Sequence, residues 1–299
     1  MTQIISDLSE ISGQYEAMFV DLWGCMHDGI KALPEACAAM QAYRARGGIV
    51  VLVTNSPRLW TEVVKQLDAF GVPKDAWDAI ASSGDSARAA MFTGAVGSKV
   101  WFIGQPHEDS FFKPMEVISD PIEIEQVPYD VAEGIVCCGP EDPTADPEVY
   151  RAHFLHAKQR GLKLLCANPD IVVDRGETRE WCGGALANLY AEMGGESLYF
   201  GKPHPPIYDL ARRRLNALDH NLDDPRILAV GDGILTDIAG AIGEGMDCLF
   251  ITGGLAREET KTDAQPDPEA LTEYLEKEQR NPTYSIGYLR QFSKVSNSN

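Results

Sequence analysis

A doubly wound α/β architecture, built on a parallel sheet and carrying a second, inserted α/β domain, is what these 299 residues predict. Three observations lead there. Short runs rich in Val, Ile and Leu recur along the chain and alternate with segments of helical period. Strands of that kind are buried on both faces by helices. Several of the runs stop on a polar or acidic residue, and in open parallel sheets ligands bind beyond the carboxyl ends of the strands. Those polar stops fall in the two flanks of the chain, which leaves a middle segment with strands and helices of its own.

In chain order, "AMFVDLW" is a strand ending on Asp21, and Pro34 opens a helix to Arg46. "GIVVLVTN" is a strand ending at Thr54-Asn55, after which Ser56 is placed to cap a helix from Pro57 to Phe70. "KVWFIG" and "EGIVCCG" are strands of the middle segment, followed by a helix from Pro147 to Arg160, the strand "LKLLCANPD" and a helix from Cys182 to Met193. "SLYFGKP" returns to the flank and precedes a helix from near Pro206 to Leu218. "RILAVGD" delivers Gly231-Asp232 to a turn before a helix from Leu235 to Glu244, and "CLFITGG" closes the strand set. From about 258 the chain is polar and Pro-interrupted, then amphipathic. These elements divide into a core of residues 1–94 and 198–299 with residues 95–197 inserted as a second domain.

With 26 basic and 45 acidic residues the net charge is −19, a field that repels nucleic acid and anionic membrane surfaces. It opposes anionic substrates too, so a phosphate pocket must supply local positive charge or a metal. The acidic opening "MTQIISDLSE" does not read as a signal peptide, and no stretch approaches the roughly 18 apolar residues of a membrane span. Seven cysteines without a CxxC pair point to reduced thiols and a cytoplasmic protein. Cys137 and Cys138, adjacent in "GIVCCG", are expected to pack in a core, with redox or metal chemistry the alternative.

Four strand ends carry the candidate chemistry. Thr54 and Asn55 precede a presumed helix start, which is an anion site or simply a capped helix. Lys202, between Gly201 and the Pro-rich turn "KPHPP", is an anchored cation or a solvated one. Asp232 and Asp237 flank a Gly turn in "GDGILTDIAGA", and Asp21 ends its own strand. Three carboxylates beside one another require a cation, and hard oxygen donors suit Mg²⁺. A carboxylate nucleophile, an anion cradle, a cation and a metal site are the parts of phosphoryl transfer through an aspartyl-phosphate.

In order and spacing, "FVDLWG", "VTNS", "GKPHPPIYDLA" and "GDGILTDIAGA" resemble the four motifs of the haloacid dehalogenase (HAD) superfamily. Together with "CANPDIVVDRGETREWCGGALANLYAEMGG", they resemble its class IIA branch, the NagD-like and 4-nitrophenylphosphatase-like hydrolases. The resemblance implies a Rossmann-like core with an α/β cap and Mg²⁺-dependent phosphatase chemistry on a small phosphorylated metabolite, with dimerisation through the cap a family-level expectation. It implies that Asp21 attacks phosphorus and ligates Mg²⁺, with Asp232 and the backbone carbonyl of Trp23 as further ligands. Asp237 would act through a metal-bound water or orient Lys202. Thr54, Asn55 and Lys202 would hold the phosphate, and Asn168 and Asp170 of the cap would meet the leaving group.

Trp23 departs from the family pattern, which has Asp as general acid and base there. An indole donates a hydrogen bond but moves no proton near neutral pH. His27 and Asp28 are candidate substitutes, with a hydrogen-bonded loop role the alternative for His27. His153 and His156 share a helix face that reads as solvated rather than metal-binding. Two other readings stand beside the phosphatase. One is a catalytically weak phosphate- and metal-binding regulatory protein. The other is cleavage of a different bond through an Asp21 ester, which needs no acidic metal cluster.

Overall fold

In the computed structural model all residues are described except Met1, 116–117, 176–177, 219–221, 223–225 and 292–299. The chain divides into two compact units: residues 1–53, 66–80 and 211–299, and residues 54–65 and 81–210.

Strands β1 (Gln3–Ile4), β2 (Ala17–Val20), β3 (Ile49–Thr54) and β4 (Ala79–Ser82) come first. They are followed by β5 (Lys99–Ile103), β6 (Glu125–Gln126), β7 (Gly134–Cys137), β8 (Lys163–Cys166), β9 (Val172–Arg175), β10 (Thr178–Trp181) and β11 (Glu196–Tyr199). The last three are β12 (Ile227–Gly231), β13 (Asp247–Ile251) and β14 (Tyr284–Ile286). The helices that matter below are α1 (Pro34–Arg44), α2 (Trp60–Phe70), α3 (Ser83–Phe92), α4 (Arg151–Gln159), α5 (Gly183–Glu192), α6 (Pro205–Asn216) and α7 (Ala239–Gly243).

The larger sheet runs β1-β14-β13-β12-β2-β3-β4, and its pairs from β1 to β3 are parallel. Every residue of β2, β3 and β12 is buried, as continuous apolar strands between two helical layers require. In register, Val20 lies opposite Val230. The Asp21 N–H then bonds the Val230 carbonyl at 2.8 Å, so Asp21 and Asp232 each stand one residue beyond the ends of neighbouring strands.

The second unit has its own parallel sheet, β11-β8-β7-β5-β6, and the antiparallel hairpin β9–β10. Period-two alternation splits its strands between two cores. Ile135, Cys137, Leu164 and Cys166 pack with Phe154 of α4 and Leu186 and Tyr190 of α5. Val136, Cys138 and Leu165 pack with Ala87, Met91 and Phe92 of α3. Cys137 and Cys138 therefore sit in opposite cores, their thiols pushed far up by burial and unreactive.

Some elements differ from expectation. The helix expected from Pro57 begins at Trp60. The Ser56 carbonyl is taken by the Gly84 N–H at 3.0 Å, and Ser56 Oγ accepts from Arg58 N–H, so residues 55–59 run as an irregular turn. Asp85 Oδ2 accepts from Trp60 N–H instead. Thr54-Asn55 is therefore not a helix start. β4 and α3 were not foreseen, because "AIAS" is short and weakly apolar. His153 and His156 are half-buried beside Tyr129, not on a solvated face. Among the described residues no helix is long and apolar enough to cross a membrane.

Candidate active site

In the first unit the chain leaves β2 at Asp21 and closes on itself at once. Met26 and His27 N–H both reach the Leu22 carbonyl, and Gly24 N–H reaches the His27 carbonyl at 2.9 Å. Gly24 has φ +77°, and a Cβ there would fall on the Asp232 carboxylate, so only glycine lets this loop approach that acid. Asp232 in turn accepts from Leu255 N–H at 3.0 Å. The result is a convergence of Asp21, Cys25 and Asp232, whose donor atoms all lie within 4.8 Å of one another. They are 8%, 1% and 6% exposed. Cys25 was not foreseen, since a lone cysteine carries no periodic signal and its partner Asp232 is far away in sequence.

Two carboxylates and a thiol enclosed together could hold a divalent cation, whose charge would offset their mutual repulsion. Asp237 lies outside this group of three. It sits in the wide turn Ile234–Ile238 before α7, buried, with Oδ2 accepting from Gly233 N–H at 3.1 Å.

Trp23, on the same loop, lies against Gly29, where a Cβ would strike the indole. The His27 ring is buried edge-on between Trp23 at 5.7 Å and Phe70 at 5.0 Å. Its Nδ1 accepts from Gly29 N–H at 3.1 Å. Burial pulls the His27 pKa down to about 4, against a weaker upward pull from Asp28. The ring is thus neutral and locked at pH 7. Slight burial pulls the Asp28 carboxyl up, but the Lys31 and Ile30 N–H groups outweigh it and hold the group below its ordinary range.

The second unit gathers Asn55, Asp170 and Lys202. The Asn55 amide brackets the Lys202 backbone, accepting from its N–H at 2.7 Å and donating to its carbonyl at 3.1 Å. It also donates to Asp170 Oδ1 at 2.8 Å. Asn168 Oδ1 accepts from Asp170 N–H at 3.1 Å, so the two cap residues shape one turn. The Asp170 carbonyl is met by Gly184 N–H at 3.0 Å. Gly201 admits this packing, because a Cβ there would meet Asn55, Pro169 and Ser83. Lys202 is 3% exposed. Thr54, also buried, accepts from Ser56 N–H through Oγ1 at 3.2 Å. The side chain of Asn55, expected at a phosphate oxygen, is thus engaged with protein partners.

Known families match this arrangement. Residues 18–117 match the family described as haloacid dehalogenase-like hydrolase, and residues 199–277 match a HAD-hydrolase-like family. A solved haloacid dehalogenase-like hydrolase from Brucella suis 1330 is 36% identical with TM-score 0.82, and the match covers 96% of this chain and 100% of that one. The chain belongs to the haloacid dehalogenase-like hydrolases, and its motif set is that of the NagD-like class IIA branch. The 5'-nucleotidase YutF of Bacillus subtilis (strain 168) is 26% identical over 267 residues, 87% of this chain and 98% of its own. A glycerol phosphate phosphatase from Mycobacterium tuberculosis, solved in complex with magnesium, shares the fold with TM-score 0.64 at 21% identity, covering 95% of this chain and 80% of its own.

Proposed function

We propose that this hydrolase is a Mg²⁺-dependent phosphatase of small phosphorylated metabolites, using Asp21 as nucleophile. The observation that carries the reading is the convergence of Asp21 and Asp232, buried and one residue past neighbouring strands. The names of the relatives, a 5'-nucleotidase and a glycerol phosphate phosphatase holding magnesium, support the same chemistry.

Asp21 and Asp232, with the backbone carbonyl of Trp23, would hold the metal. When bound, it neutralises charge on the phosphoryl oxygens and on the attacking carboxylate. The Asp21 carboxylate attacks phosphorus, the bond from phosphorus to the ester oxygen breaks, and the leaving group departs with the electron pair. Water then hydrolyses the aspartyl-phosphate. Lys202 neutralises the phosphate and Thr54 hydrogen-bonds it. Asn55 is a positioning residue for Lys202, and Asp237 holds the Gly233 turn. Residues 95–197 serve as the cap on a core of 1–94 and 198–299, with Asn168 and Asp170 selecting the leaving group.

Trp23 sets the limit. The indole gives the departing oxygen no proton, so leaving groups that are stable as anions are favoured, and no carboxylate at position 23 activates the water. His27, neutral and with Nδ1 occupied, does not replace it, and Asp28 is spent on its own turn. A second reading, a binding protein that keeps the metal and phosphate sites, rests on Trp23 alone.

Phosphate release from an aryl, an acyl and an alkyl phosphate separates the two. The aryl and acyl esters are expected to turn over with Mg²⁺, and Asp21→Asn to lose that turnover. Trp23→Asp is expected to gain roughly 10²-fold on the alkyl ester. No turnover of any ester, with Mg²⁺ and phosphate still bound, would establish the binding protein instead.

A further inference from the structure

The metal pocket contains a sulfur. Among the described residues, Asp21, Cys25 and Asp232 are the group of His, Cys, Asp or Glu side chains whose donor atoms converge, and Cys25 is the most enclosed of the three. Its position is fixed by the loop that fixes Asp21. The Met26 and His27 N–H bonds to Leu22 and the Gly24 bond to His27 hold residues 22–27 as one closed turn, with Gly24 pressed against the Asp232 carboxylate. The other cysteines are also buried, but they lie outside this convergence, and Cys137, Cys138 and Cys166 of the second unit sit in the apolar cores described above. Cys25 Sγ therefore faces the same small volume as two carboxylate oxygens.

Hard oxygen donors alone leave a site to Mg²⁺ or Ca²⁺, whereas a thiolate among them favours thiophilic ions such as Zn²⁺ and Cd²⁺. Sulfur bonds Zn²⁺ at about 2.3 Å and carboxylate oxygen at about 2.0–2.2 Å, so tetrahedral donors on one ion stand roughly 3.6 Å apart. The three donor atoms here lie within 4.8 Å of one another, a cluster that binding would draw together.

We infer that Cys25 is a third side-chain ligand of this pocket, beside Asp21 and Asp232, and that the pocket takes a thiophilic divalent cation in place of Mg²⁺. The inference rests on reading Asp21 and Asp232 as the metal carboxylates. On binding, a sulfur–metal bond forms, the thiol proton passes to solvent, and no electron is transferred.

The test is a titration of the full-length, reduced, metal-free protein with Cd²⁺, followed by sulfur-to-cadmium charge-transfer absorption. The wild type is expected to develop one saturable band that excess Mg²⁺ shifts to higher Cd²⁺. Cys25→Ser and Cys25→Ala are expected to lose the band, and Asp232→Asn to weaken it. No band in the wild type, or a band that persists in both Cys25 variants, overturns the inference. Cadmium NMR of the wild type gives an independent reading should those variants fail to fold. A resonance of one sulfur among oxygens supports Cys25, and one of oxygen ligands alone overturns it. Aryl phosphate turnover with Mg²⁺ is recorded on the same samples. Turnover without the band removes the thiol ligand alone, while the band without turnover supports the thiol ligand and removes the phosphatase reading.

Discussion

Trp23 and His27 form a pair in which one side chain explains the other. The Trp23 indole, which by the family resemblance replaces a carboxylate, packs edge-on against the imidazole that the sequence offered as a substitute acid or base. Phe70 closes the other side, and nothing in "MHDG" announces it. The ordinary pKa of an imidazole suits proton transfer near neutral pH, whereas burial pulls that of His27 down to about 4. The sign of the consequence follows. Above pH 6.5 the ring is neutral folded or unfolded and carries no penalty. As pH falls from 6.5 to about 4, only the unfolded chain gains the proton, so stability is lost across that window. Among the described residues the charged group acting on the ring is Asp28, which pulls the other way. The loss is on the order of 3 kcal/mol. Urea unfolding of the wild type and His27→Gln across this pH range measures it. The variant is expected to show the shallower decline, and equal slopes would contradict the assignment.

Elements were legible where a long apolar run met a polar stop. β2, β3 and β12 are four to six buried residues in a row, and Asp21, Thr54 and Asp232 mark their ends. What a strand end then does depends on partners that no local pattern contains. Pro57 after Ser56 has the form of a helix start, yet the Gly84 N–H captures the Ser56 carbonyl and the helix waits until Trp60. Asn55, expected at the phosphate, ties its turn to Lys202 and Asp170 through three hydrogen bonds, partners that no local pattern shows. Asn55→Ala leaves the buried Lys202 N–H without this acceptor, and the expected cost is about 1–3 kcal/mol. A fall in the urea midpoint together with a raised KM for the phosphate ester supports the positioning role. An unchanged midpoint would show that the bracket is dispensable.

At the scale of the whole molecule, net charge and strand–helix alternation were enough to anticipate a parallel α/β chain of acidic character. The sheet of the second unit was visible as strands, but its two separate cores were not, because they depend on which face each residue of "GIVCCG" takes. Cys25 was invisible for a related reason: its meaning lies in Asp21 and Asp232, brought to it by the pairing of β2 with β12. On the proposed mechanism the enzyme would load Asp21 readily and unload it slowly, because no carboxylate at residue 23 activates the water. Rapid-mixing kinetics of aryl alcohol release with Mg²⁺ tests that claim most directly. The account predicts a burst close to one equivalent per active site, then a slower steady rate, with the burst absent in Asp21→Asn. Linear release from the first turnover, at a rate that Asp21→Asn leaves unchanged, would contradict it.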